Sequence, residues 1–283
     1  MAYKNKIWLV GRSGRLGSAM ISILKPDINN TVIGTNEYEV DITNLHEVES
    51  FVDKFRPNII IDCAAKADRL WCEDHLDEAF ALHALGARNL AIIANKIDAH
   101  LFYLSSDFVF DGTSTVPYKE FDMPNPQTVY GKSKMAGENF VKELCPKHTI
   151  LRSSWMYGKR YLNDIILQGK EGLVQIDKNI IGTPTSSLEL AETVISFFNK
   201  DEFGTFHISC EGEASLKDFI YEIFDILGIK AEVVESGESS RFEALRPRYS
   251  VLDNYMLRLI HHQPMRGWQE ALRRFMRERK VGI

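Results

Sequence analysis

Apolar residues in the first half of the chain fall into short unbroken runs separated by longer amphipathic stretches. The runs at Ile7–Val10, Val32–Gly34, Ile59–Asp62, Leu101–Leu104 and Thr149–Leu151 read as strands buried on both faces. Between them, apolar positions recur every three or four residues, which predicts helices near Leu16–Leu24, Leu45–Lys54, Asp77–Ala94 and Val129–Leu144. Strand and helix alternating in this way predict an α/β fold, a parallel sheet covered by helices on both faces. Ligands of such sheets bind beyond the carboxyl ends of the strands.

The first of those ends carries a glycine pattern. Gly11-Arg12-Ser13-Gly14-Arg15-Leu16-Gly17 follows the first strand directly and opens the first helix. Glycines there permit a tight turn, close approach of a pyrophosphate and close packing of helix on strand, while the helix N-terminus attracts the anion. The sheet is therefore expected to be doubly wound and Rossmann-like. The second half is less regular. Pro184 and the Gly/Ser/Glu segment 235–240 punctuate it, and helices are predicted at Ser187–Phe198, Ser215–Leu227 and Gln269–Arg279. No clean linker separates the halves. Residues 1–152 are expected to form mainly the dinucleotide-binding domain, and residues 153–283 mainly a smaller, interleaved substrate-binding lobe with segments returning to the first.

Composition removes several alternatives. The 283 residues carry a net charge of −5 with a pI near 5.9, which speaks against a nucleic-acid surface. No long apolar run suggests a membrane span, and no charged leader precedes one, so the expected location is cytoplasmic. Cys63, Cys72, Cys145 and Cys210 are scattered and read as free thiols. The histidines show no metal-ligand spacing, and no metal site is expected. The arginine-rich end (Arg266, Arg273, Arg274, Arg277, Arg279) reads as the solvated face of a last helix.

Tyr130-Gly-Lys-Ser-Lys134 carries the candidate chemistry. Tyrosine and lysine at this spacing share one helix face, so the ammonium is expected to favour the phenolate and pull the phenol down from its ordinary value of about 10. Such a tyrosine exchanges a proton with a substrate oxygen, and the hydroxyl of Ser106 is a candidate to hold the same oxygen.

These motifs, in this order, resemble the dTDP-4-dehydrorhamnose reductase family of extended short-chain reductases. The likeness covers the glycine loop, Val40-Asp41-Ile42-Thr43, Ala64-Ala65, Ser105–Gly112, Tyr130–Glu138, Leu151–Gly158, Gly182–Thr185 and Arg246-Pro247. It implies hydride transfer from a reduced nicotinamide to the 4-keto carbon of a nucleotide-linked 6-deoxy sugar. By position, Tyr130 protonates the alkoxide, Lys134 holds the ribose, and Ser106 replaces the family's usual threonine. Asp107, Phe108 and Trp155 fall at substrate-facing positions, Trp155 where the family stacks an aromatic ring on the sugar. The glycine loop from Gly11 to Gly17, Asp41, Ile42, Ala64, Ala65 and Lys66 fall at cofactor positions, with Asp41 and Ile42 flanking the adenine. The implied partner is a nucleotide sugar, bound by a monomer or homodimer.

Charge bears on the cofactor. Gly34-Thr35-Asn36 holds no carboxylate before Glu37, and Arg12 sits within the glycine loop, which favours NADPH, with NADH possible. The chain also departs from the family wording. His83 stands where an Asn is usual, Asp177-Lys178-Asn179 replaces an Asp-x-Gln, and Lys66–Glu73 lacks a Thr/Asn-x-Val-Asp. Asp107-Phe108 lacks the second carboxylate of a dehydratase. A sugar-nucleotide epimerase of the same superfamily and a non-catalytic nucleotide-binding regulatory subunit remain as alternatives.

Overall fold

Residues 5–176, 180–235 and 246–282 are described by the structure, a computed structural model. Asp177-Lys178-Asn179 and residues 236–240 of the predicted Gly/Ser/Glu break lie outside them. Six strands form the central sheet: β1 (Asn5–Val10), β2 (Asn30–Thr35), β3 (Ile59–Asp62), β4 (His100–Ser106), β5 (His148–Ser153) and β6 (Gly204–His207). Their order is β2-β1-β3-β4-β5-β6, and every pair is parallel. The Rossmann-like expectation is thereby met, and β6 shows that the second half returns a strand to the first layer.

Alternation along each strand divides the core. Ile7, Leu9, Ile59, Ile61 and Phe102 point to one face, where they pack on α1 (Arg15–Leu24). Trp8, Val10, Ile60, Leu101 and Tyr103 point to the other, beneath α2 (Leu45–Phe55), α3 (Gly86–Lys96) and α4 (Val129–Leu144). A helix from the second half, α5 (Ser187–Ser196), joins α1 on the first face. The chain leaves β1 toward β2 and crosses back to β3. Its switch point lies between the carboxyl ends of β1 and β3, where an open α/β sheet places its ligand.

The helix predicted over Asp77–Ala94 is broken. Leu76–Phe80 is α-helical, Ala81–Leu85 forms a π-helical turn, and α3 follows. The turn carries His83 inward, and π-turns inside helices recur at functional sites. Sequence periodicity does not see it, because apolar residues continue on both sides.

A second core joins the helix Lys159–Lys170 to α6 (Leu216–Leu227) and α7 (Trp268–Glu278), through Leu162, Ile166, Phe219, Phe224, Leu272 and Phe275. Arg266, Arg273 and Arg277 are exposed, as expected of a solvated arginine face, but Arg266 and the less exposed Arg274 also form ion pairs. Arg274 pairs with Glu189 at 2.7 Å and Glu192 at 2.6 Å, and Arg266 with Glu189 at 2.8 Å. These arginines neutralise carboxylates on α5 and so tie the two layers together.

Candidate active site

The glycine loop fits closely between its neighbours. Gly11 has φ +79°, a conformation that disfavours side chains, and a Cβ there would lie 2.8 Å from the Ala64 nitrogen. A Cβ on Gly17 would lie 2.3 Å from the Gly11 carbonyl oxygen, so α1 seats against the loop only because that position is bare. Gly14 is the N-cap of α1 and offers no side-chain cap, which leaves the first helical N–H groups for an anion. Ser13 is exposed beside it, while Leu16 is core. Arg15 turns to the second half, where its guanidinium donates to the Met156 carbonyl at 2.6 Å.

Arg12 lies across the end of β2. Its guanidinium donates to the Gly34 carbonyl at 2.9 Å and pairs with Glu39 at 3.1 Å. Reading the charge only as far as Glu37 missed this carboxylate, which the turn at 36–39 folds back toward the loop. Asp41 accepts from the backbone N–H and the hydroxyl of Thr43. Ile42 is 3% exposed, its side chain in the core and its carbonyl bonded by Asn89 at 2.9 Å.

At the end of β3, the Ala64 N–H donates to Asp62 at 3.0 Å. Ala65 and Lys66 are exposed, and the Lys66 N–H donates to His83 Nε2 at 3.1 Å. That donor fixes the tautomer, leaving the proton on Nδ1, which faces the Ser133 hydroxyl at 2.8 Å. Burial first, then the Lys134 charge, push His83 down to about 3, so the ring is neutral.

The catalytic helix α4 starts at Thr128, which caps the Gly131 N–H at 3.0 Å, and Glu73 receives the Val129 N–H at 2.7 Å. Gly131 lets the helix approach the Phe108 carbonyl, which a Cβ would meet at 2.2 Å. Tyr130 then sits edge-on between Phe108, at 5.5 Å, and His83, at 5.4 Å. Arg69 lies 5.3 Å from the Phe108 ring centroid.

Ser106 ends β4. Its hydroxyl donates to Asp107 at 2.8 Å and accepts the Phe108 N–H. Asp107 is 3% exposed, and its other oxygen receives the Ser154 hydroxyl at 3.0 Å. The carboxylate expected to face the sugar is thus turned to two serines. Trp155 takes φ +40°, a left-handed backbone that costs a bulky residue energy, and its ring covers bare Gly182.

The phenol departs from expectation. Tyr130 is raised to about 12, by burial first and then by the Asp107 charge, with the Ser106 hydrogen bond opposing. Lys134 is itself lowered to about 8, chiefly by burial, with Asp62 and Glu138 opposing. Its ammonium lies 4.0 Å from the centroid of the Tyr103 ring. A phenol of this kind stays protonated at neutral pH, which suits a proton donor.

Asp62, His83, Glu39 and Arg69 are the neighbours that motif reading left without a role. A carboxylate ending an all-isoleucine strand and a histidine within an apolar helix were the visible signals. Among the described residues, no group of three metal-ligating side chains converges, and no helix is long and apolar enough to cross a membrane.

A switch-point glycine loop beside a Ser–Tyr–Lys constellation defines a nucleotide-binding α/β protein of the short-chain reductase class. Comparison with known proteins narrows the class. A family model described as "RmlD substrate binding domain" matches residues 5–281. A dTDP-4-keto-6-deoxy-D-glucose reductase of Streptomyces niveus is 34% identical over 273 residues, 94% of each chain. Two crystal structures named dTDP-4-dehydrorhamnose reductase superpose closely. That from Clostridium acetobutylicum has a TM-score of 0.93 at 39% identity, covering 98% of this chain and all of its own. That from Bacillus anthracis, in complex with NADP, has a TM-score of 0.92 at 36% identity, covering 97% and 99%. The chain belongs to the RmlD family.

Proposed function

We propose that this protein reduces the 4-keto group of a nucleotide-linked 6-deoxy hexose with NADPH, as a dTDP-4-dehydrorhamnose reductase does. The observation that carries the reading is the Ser106 hydroxyl, at the carboxyl end of β4, against the Tyr130 phenol, with buried Lys134 one turn further along the same helix. Relatives that match nearly the whole chain and are named for this reduction support it.

The loop fits a dinucleotide, because bare Gly11 and Gly17 and the uncapped start of α1 leave space and N–H donors for a pyrophosphate. Bound there, a reduced nicotinamide supplies the hydride for the ketone carbon. Arg12 meets a 2′-phosphate once it releases Glu39, which favours NADPH; Glu39 can instead serve a 2′-hydroxyl, which keeps NADH as the second reading. Lys134 holds the nicotinamide ribose. Tyr130 gives its phenolic proton to the oxygen that becomes the alcohol, and Ser106 donates to the same oxygen after leaving Asp107. Asp107 and Ser154 set the Ser106 rotamer. Trp155 and Phe108 provide apolar faces for the sugar.

A panel of 4-keto nucleotide sugars, with NADPH absorbance followed and the product identified, tests the proposal. Oxidation of NADPH with a 4-keto-6-deoxy sugar, yielding the 4-hydroxy product, supports it. Inversion of a sugar hydroxyl without net NADPH oxidation would instead identify an epimerase.

A further inference from the structure

Lys134 is 1% exposed, and a bare ammonium in such a place favours losing its proton. Ionisable groups face it from each packed element: Asp62 and Cys63 at the end of β3, Tyr103 on β4, His83 from the π-turn, and Glu138 one turn on along α4, with Tyr130 one turn back on the same helix. His83 is neutral, and burial, then the Asp62 charge, keep Cys63 a thiol. Tyr103 donates its hydroxyl to the carbonyls of His83 and Lys134, and burial raises it well above the ordinary phenol. Two carboxylates remain.

Glu138 is already engaged. Arg152 grips it with hydrogen bonds of 2.8 and 2.6 Å, Ser105 donates to it at 2.6 Å, and Lys142 approaches at 3.3 Å. Asp62 is different. It is 2% exposed, and among the described residues its one hydrogen bond is accepted from the Ala64 N–H. In the sheet it stands in register with Tyr103, whose ring the Lys134 ammonium covers at 4.0 Å. A carboxylate is costly in such a place without a nearby cation. We propose that Asp62 is the counter-charge of Lys134, a positioning residue that keeps the buried ammonium protonated at neutral pH.

The consequence for the reaction rests on the reading of Lys134 given above. An uncharged side chain at position 62 removes the opposing charge while burial remains, so Lys134 loses its proton at lower pH. Asp62→Asn suits the test, because its amide oxygen still accepts from the Ala64 N–H.

The direct test is a pH titration of isotope-labelled lysine side chains by NMR, with the Lys134 resonance assigned by its loss in Lys134→Met. In the wild type the midpoint is expected at about 8. In Asp62→Asn it falls by roughly one to three pH units, while Asp62→Glu, which keeps the charge, stays near the wild type. Should Asp62→Asn not fold, Asp62→Ser is read in the same way. An unmoved midpoint in the uncharged variant overturns the pairing. The alkaline limb of kcat/KM for NADPH oxidation is followed in parallel. A midpoint that moves while this limb stays supports the Asp62–Lys134 pair and counts against Lys134 in the reaction, so the two readings fail separately.

Discussion

Arg152 on β5 and Glu138 on α4 form a two-point ion pair, 2.8 and 2.6 Å long, with both side chains at 2% exposure or less. The pair joins sheet to catalytic helix one turn beyond Lys134. Burial alone would raise the Glu138 carboxyl, but the Arg152 hydrogen bonds and charge hold it below its ordinary value. Removing Arg152 leaves the buried Glu138 charge with only the Ser105 hydroxyl and the partly exposed Lys142 beside it among the described residues. Arg152→Ala is expected to lower stability by about 3–5 kcal/mol, read by denaturant unfolding; a loss below about 1 kcal/mol would make the pair no more than a surface contact.

Gly17→Ala puts a methyl where the Gly11 carbonyl already lies, at 2.3 Å. The loop or α1 must shift, and the dinucleotide cradle shifts with it. We expect NADPH affinity, measured by fluorescence titration, to drop by about tenfold or more with the circular dichroism spectrum retained. Unchanged affinity would separate the loop from the cofactor.

Arg12 and Glu39 give a paired prediction. Arg12→Ala weakens NADPH binding and leaves NADH little changed, whereas Glu39→Gln, which frees Arg12 from its ion pair, strengthens NADPH relative to NADH. Equal losses for both cofactors in Arg12→Ala would refute a role at the 2′-phosphate.

His207 supplies the pH dependence of stability. Its Nδ1 faces the Tyr118 and Asp253 carbonyls at 3.0 and 3.2 Å, and burial, then the Arg152 charge, push it down to about 3. The folded value lies below the unfolded one of about 6.5, so the unfolded chain takes up the proton first. The contribution is full above the unfolded value and is lost as pH falls from there toward 3. Asp62, raised to about 6, acts in the opposite sense as pH falls through that value, so the variant difference is the clean readout. Replacing His207 by Asn should flatten the acid slope of unfolding free energy by up to about 1.4 kcal/mol per pH unit. An unchanged slope would show that His207 titrates alike in both states.

The four inner strands were legible because they are uninterrupted apolar runs buried on both faces, whereas the edge strand Gly204–His207 is short and half polar and gave no such signal. Ile59–Asp62 and Val129–Leu144 have the same limits in sequence and structure. Ser106, Tyr130 and Lys134 were legible as motif residues. Their electrostatics were not, because burial and Asp107 act on Tyr130 through space while spacing along a helix reports only Lys134. The π-turn at His83, the Arg12–Glu39 pair and the anchoring of Arg266 and Arg274 on α5 all join residues distant in sequence or break local periodicity. Nothing short of the folded chain brings them together.

Turnover of Tyr130→Phe with NADPH and a 4-keto-6-deoxy nucleotide sugar tests the central claim most directly. The variant keeps the ring between Phe108 and His83 and loses only the proton. Turnover is expected to fall by about two to four orders of magnitude, with NADPH binding retained. Turnover near that of the wild type would contradict the account.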